Sequence, residues 1–228
     1  MKPVISVKNL YKLYHVGDSV VRALDGVSFE VYEGEFCAIV GTSGSGKSTL
    51  LNMLAGLEKP TRGEVVISGQ HIESLKEDEL VRFRRENVGF IFQSFHLSGT
   101  MNALENVALP LTFRGEARKT RLQKADRMLD LVSLKKHKKH MPNQMSGGQQ
   151  QRVGVARALV SDPKIIFADE PTGNLDSHTS EDVMHLMQKV VREQNRTLVM
   201  VTHHNHLADY ADRIFHIIDA KIVKIDEK

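Results

Sequence analysis

The sequence predicts an α/β fold: a mainly parallel sheet flanked by helices, with an N-terminal antiparallel β subdomain and a helical subdomain. Three observations predict it. Continuous apolar runs at Phe36–Val40, Ile165–Ala168 and Leu198–Thr202 lack polar alternation, the pattern of strands buried on both faces. Between the last two, Val183, Leu186, Met187, Val190 and Val191 fall on one face of a helix. From roughly residue 77 to 145 strands are scarce, and charged, helix-favouring residues dominate.

The elements follow in order. Residues 4–36 alternate weakly, with Val27, Phe29 and Val31 on one side, and predict antiparallel strands ahead of the first buried strand. Beyond Phe36–Val40, Leu50, Leu51 and Leu54 recur at helical spacing, and Gly56 suits a left-handed end to that helix. Glu64–Ser68 reads as a short strand stopped at Gly69. The helical subdomain, roughly 77–145, is expected as an insertion in the core. Ser146 then caps a helix whose Val153, Ala156 and Val160 share a face. After the buried strands comes a hairpin of Ile214–Ile218 and Ile222–Ile225, turning at Asp219-Ala220-Lys221, where Ala220 takes a place that favours glycine. All 228 residues are expected to form one domain.

Composition sets outer limits. With 31 basic against 28 acidic residues, the net charge of +3 is too mild to imply nucleic acid. The start, MKPVISVKNL, has no apolar core of a signal peptide, and no run approaches the ~18 apolar residues of a membrane span. The single cysteine, Cys37, lies in a predicted buried strand and excludes any disulfide within the chain.

The chemistry starts at Val40–Thr49, VGTSGSGKST, which fits G-x-x-x-x-G-K-[ST] with Gly41, Gly46, Lys47 and Ser48. Glycines let successive amides of Thr42, Ser43, Gly44, Ser45 and Thr49 turn toward one anion, and the following helix adds its unpaired N–H groups. Lys47 is expected on the β- and γ-phosphates and Ser48 on Mg²⁺. This is the loop of a P-loop NTPase core. Downstream, IIFADE ends a strand in two carboxylates: Asp169 is expected to hold Mg²⁺ through water, and Glu170 to polarise a water against the γ-phosphate. In MSGGQQQRVGVARAL, Ser146, Gly147, Gly148 and Gln149 open a helix with free backbone donors, a second anion site.

That segment resembles the LSGGQ signature of the ATP-binding cassette (ABC) family, with Met145 for leucine, and the resemblance runs through the whole chain. It implies several roles. Ser146 and Gly148 contact the γ-phosphate held by the other subunit of an ATP-dependent head-to-tail homodimer. Tyr14 stacks on adenine. Gln93 senses Mg²⁺ and the γ-phosphate, Asp176 in GNLD crosses the interface, and His203 in VTHH is the switch histidine. Two departures stand out: His204 occupies a position commonly aspartate in the family, and Ala220 one that is commonly glycine.

The resemblance further implies an ATP hydrolase at the cytoplasmic face of the cell membrane, bound peripherally to a permease. The expected docking region follows Gln93 and includes Phe95 and Leu97. The text ADEPTGNLD and NQMSGGQQQRV is similar to the MacB/Lol-type branch of macrolide or peptide efflux and lipoprotein release. The antimicrobial-peptide resistance and FtsE-type cell-division ATPases are alternatives. A soluble ATPase acting on ribosomes or DNA fits less well, since those relatives carry fused cassettes, coiled coils or zinc inserts. KKHKKH, 135–140, reads as a solvated helix end in preference to an acidic-partner site.

Overall fold

The computed structural model describes residues 2–228. Two sheets carry the chain. The first joins β1 (Ile5–Val16), β2 (Ser19–Val31), β4 (Arg62–Ile67) and the short β5 (Gln70–His71) in the antiparallel order β2-β1-β4-β5. The second holds β3 (Phe36–Val40), β6 (Val88–Ile91), β7 (Ile165–Asp169), β8 (Thr197–Thr202), β9 (Arg213–Ile218) and β10 (Lys221–Glu227) in the order β10-β9-β3-β8-β7-β6. Five of these strands run parallel, and β10 returns antiparallel on β9 at one edge.

The unbroken apolar strands are buried on two faces at once. Phe36, Ala38 and Val40 of β3 enter one core with Ile166, Ala168, Leu198 and Met200. Cys37 and Ile39 enter the other with Ile165, Phe167, Val199 and Val201. Side chains alternate across a strand with a period of two, so each strand needs apolar residues at both parities. The first core is closed by helices α3 (Ala103–Phe113), α4 (Arg118–Leu131), α5 (Gly147–Leu159) and α6 (Ser177–Glu193). The second is closed by α1 (Lys47–Leu54), α2 (Glu77–Asn87) and the antiparallel sheet. Buried β-strand and helix side chains at ~1.5–3 kcal/mol each make these two layers the main source of stability.

The range 77–145 is less uniform than a helical insertion. Its second element, β6, pairs in parallel with β7 (Val88 with Ile165, Ile91 with Ala168) and forms the far edge of the main sheet. Gly89 admits this pairing, since a methyl there would stand 2.5 Å from the Ala158 carbonyl oxygen. The helical part proper therefore begins after the strand. In it, Lys138 bridges Asp126 and Asp130 at 2.7 Å each, so that lysine of the basic run is engaged, while Lys135, Lys136 and Lys139 stay exposed.

The late hairpin turns at Asp219 (φ 46) and Ala220 (φ 66), both left-handed, as a two-residue turn between twisted strands requires. Ala220 is held there by its carbonyl, which accepts from the Asp25 amide at 2.9 Å.

Candidate nucleotide site

The parallel strands fix where chemistry gathers. Ligands in open α/β sheets bind outside the carboxyl ends of the strands, and those ends align here: Val40 pairs with Thr202, Asp169 with Val201 and Ile91 with Ala168. The loop 41–46, Gln93, Glu170 and His203 all lie within two residues of such an end or follow it directly.

The glycine-rich loop is built around its own lysine. Lys47 is buried, and its Nζ donates to the carbonyls of Gly41 and Thr42 at 2.8 Å each. Burial pulls its pKa down, against the opposing pull of the Glu170 and Asp169 charges. Gly46 takes φ 101, and a methyl on it would stand 2.2 Å from the Ala23 carbonyl oxygen, so only glycine fits. Thr42, Ser43 and Gly44 are exposed at the rim. Ser45 Oγ is buried without a partner among the described residues, an unpaired donor inside the loop. Thr49 follows in the first turn of α1.

Beside the loop, Ser48 Oγ donates to Asp169 Oδ1 at 3.1 Å, joining two positions 121 residues apart. Burial raises the Asp169 pKa, with the Ser48 hydrogen bond and Lys47 working against it. A half-buried carboxylate of this kind gains from a nearby cation. Glu170, one residue past β7, has φ 43, and its Oε1 lies 2.8 Å from His203 Nδ1. Gln93 lies against Gly173, where a methyl would come within 2.6 Å of Nε2, and Asn174 Nδ2 donates to its carbonyl at 3.1 Å.

Tyr14 is half-buried on β1. Its hydroxyl donates to Glu58 Oε2 at 2.8 Å, and the ammonium of Lys12 sits 5.0 Å from its ring centroid while pairing with Glu58 Oε1. Ring and carboxylate are thus fixed as a unit.

The signature residues form a separate group. Ser146 Oγ accepts from the Gln149 amide at 3.3 Å, and Gln149 Oε1 accepts from the Ser146 amide at 3.0 Å, a reciprocal cap on α5. Gly147 and Gly148 open that helix; a methyl on Gly148 would stand 2.4 Å from Thr179 Cγ2. Asp176 caps α6 by accepting from the Thr179 amide at 3.0 Å, and the Thr179 side chain first and its amide second hold the Asp176 pKa below the usual carboxylate value. Hence Ser146, Gly148 and Asp176 lie around one helix junction. Among the described residues, no hydrogen bond joins 146–149 to the loop 41–46.

One residue of consequence escapes a motif reading. Arg157, on α5, donates to the carbonyls of Phe95 at 2.6 Å and His96 at 2.5 Å. Both of those residues have positive φ (57 and 48), and burial lowers the Arg157 pKa. The only trace in the sequence is a cation inside the apolar run VGVARAL. Phe95 and Leu97 are half-buried, and Leu97 packs on the main core.

Comparison with known proteins places this geometry. The ABC transporter family profile matches residues 24–173. An uncharacterized ABC transporter ATP-binding protein of Thermotoga maritima is 46% identical over 228 residues, covering 100% of this chain and 97% of its own length. The macrolide export ATP-binding/permease protein MacB of a Shewanella species is 46% identical over 97% of this chain, which spans 34% of that protein. Among solved structures, the ATP-binding cassette MJ0796 of Methanocaldococcus jannaschii, a dimer in a post-hydrolysis state bound to ADP and Pi, superposes with TM-score 0.90 at 43% identity, over 98% of each chain.

Proposed function

This chain belongs to the ABC transporter family as its ATP-hydrolysing subunit, and from that premise we propose how its residues bind ATP, close on a second copy and drive a membrane permease. The observation that carries the reading is the split between two groups of residues. The loop, Asp169, Glu170, Gln93 and His203 gather at the carboxyl ends of the parallel strands, while the exposed, capping Ser146 stands apart from them at the start of α5, with Gly147 half-buried and Gly148 buried against Thr179. Each group is half of a site, and two copies arranged head to tail complete both. The dimeric MJ0796 cassette with ADP and Pi supports this arrangement.

In the binding step, Lys47 exchanges the Gly41 and Thr42 carbonyls for phosphate oxygens, and the loop amides with Ser45 Oγ supply further donors. Tyr14, held by Glu58, offers its ring to adenine. Ser48, Asp169 and Gln93 present oxygen donors, a set suited to Mg²⁺. Mg²⁺ there would neutralise phosphate charge as it develops. Glu170 accepts a proton from, or orients, the attacking water, and His203 exchanges its contact with Glu170 for one with the γ-phosphate. Ser146 and Gly148 of the second copy close the far side, with Asp176 crossing the interface beside them.

The permease takes the output. No helix among the described residues is long and apolar enough to cross a membrane; membership of the ABC transporter family supports peripheral work at the cytoplasmic face. The segment after Gln93, including Phe95 and Leu97, is the proposed docking region. A groove of about 380 Å³ beside it, between α3 and α4, is lined by apolar Met101, Leu109 and Leu122 together with charged Glu105, Arg118 and Arg121. Similarity to MacB, a macrolide export ATP-binding/permease protein, supports export or mechanical transmission of the macrolide-efflux kind.

The test is ATP-dependent association of the Glu170→Gln variant, measured by sedimentation. A stable dimer with ATP and Mg²⁺ but a monomer without nucleotide is expected. A variant that stays monomeric at saturating ATP, while the chain still binds nucleotide, refutes the closing step.

A further inference from the structure

We infer that His204 is a positioning residue for hydrolysis: its ring is a backstop that keeps the His203 imidazole turned toward Glu170 and the reacting phosphate. The ring centroids of His203 and His204 are 3.9 Å apart, tilted by 40°. Of the two, His203 is exposed and His204 half-buried, so the second ring is the fixed member of the pair. Its backbone is pinned on both sides. The His204 amide donates to Oγ1 of buried Thr202 at 3.1 Å, and its carbonyl accepts from the Leu207 amide at 3.1 Å as α7 (Asn205–Ala208) begins.

His203 has no comparable support. Its ring is held by the contact with Glu170 at 2.8 Å and by the face of His204. Once that first contact is exchanged for phosphate, the stack is what restrains the ring. A misplacement of ~1 Å in a positioning group costs up to ~10²-fold in rate.

The ionisable groups facing His204 are His203 on the same loop, His206 on α7 (centroids 5.6 Å apart) and Glu170 beyond β7. Burial first, then the two imidazoles, hold the His204 pKa below its ordinary value, with Glu170 opposing. The ring is therefore neutral at neutral pH and packs without repulsion.

This inference rests on the catalytic reading of His203 and Glu170, and the variants separate the two. Steady-state ATPase of the purified chain is measured for wild type, His203→Ala, His204→Ala and His204→Phe, with fluorescent-ATP binding as a fold control. His203→Ala is expected to lose most turnover. His204→Ala is expected to lose kcat by about tenfold with KM within about twofold. His204→Phe, which keeps a flat ring, should recover most of kcat. If His203→Ala turns over like wild type, the premise falls and the inference with it. If His203→Ala is slow but His204→Ala is not, or if His204→Phe is as slow as His204→Ala, the inference alone is overturned.

Discussion

Glu170 sits at φ 43, in a region where a non-glycine residue costs about 1–2 kcal/mol. Its amide donates to the Val201 carbonyl and its own carbonyl accepts from Gly173, both at 2.9 Å, so the surroundings impose the conformation. Glu170→Gln keeps this backbone and the size of the side chain but removes the carboxylate proposed as the base. Turnover should fall ~10²–10⁴-fold with ATP affinity retained, as read by single-turnover hydrolysis and equilibrium binding; hydrolysis near the wild-type rate contradicts the assignment. Gly46 makes a second residue-scale case. Gly46→Ala adds both a clash with the Ala23 carbonyl and a strained φ of 101, so it should reduce nucleotide affinity at least tenfold and lower the melting temperature. Both positions were legible in the sequence because the motifs mark the same few residues that the structure sets at the strand ends. Arg157 was not, because its partners are main-chain carbonyls some sixty residues away, and a carbonyl leaves no mark in a side-chain pattern.

Helices and strands were legible wherever their period ran long enough. The buried strands β3, β7 and β8 and helix α6 lie where their apolar patterns put them. Strand β6 was hidden: four residues, one of them glycine, carry no period, and only pairing with β7 makes them a strand. The structure also decides which probe of the signature helix is clean. Gly148→Asp would drive a side chain into Thr179 of its own chain, mixing a packing fault with any effect on a partner. Ser146 is exposed, so Ser146→Arg tests the interface. It should remove an N-cap, worth ~1 kcal/mol in the melting curve, leave ATP binding by dilute monomer intact, and suppress hydrolysis. Equal loss of monomer affinity would mean that the signature does not act across two copies.

At the scale of the whole molecule, two cores on either side of one sheet bind the nucleotide edge to the helical layer. The docking prediction belongs here. Leu97 packs on the main core, so Leu97→Asp would unfold as readily as it would uncouple. Leu109, partly exposed and lining the groove beside that segment, offers a better probe. Leu109→Asp should leave folding and basal ATPase unchanged, yet reduce co-purification with a permease by about thirtyfold if this side chain anchors ~2 kcal/mol of the contact. Normal co-purification would move the docking face elsewhere.

The bonds from Arg157 have one more consequence, for motion. Phe95 and His96 hold unfavourable backbone angles, and a charged group on α5 satisfies both of their carbonyls. Shifting that loop alone would break two charge-assisted bonds at about 1.5–3 kcal/mol each. The cheaper path is for loop and helix to travel together, so a push on the loop is passed to α5, the helix that Ser146 caps. In hydrogen–deuterium exchange, the amides around 95–98 and those of the first turn of α5 should therefore change protection together in wild type, and separately in Arg157→Met.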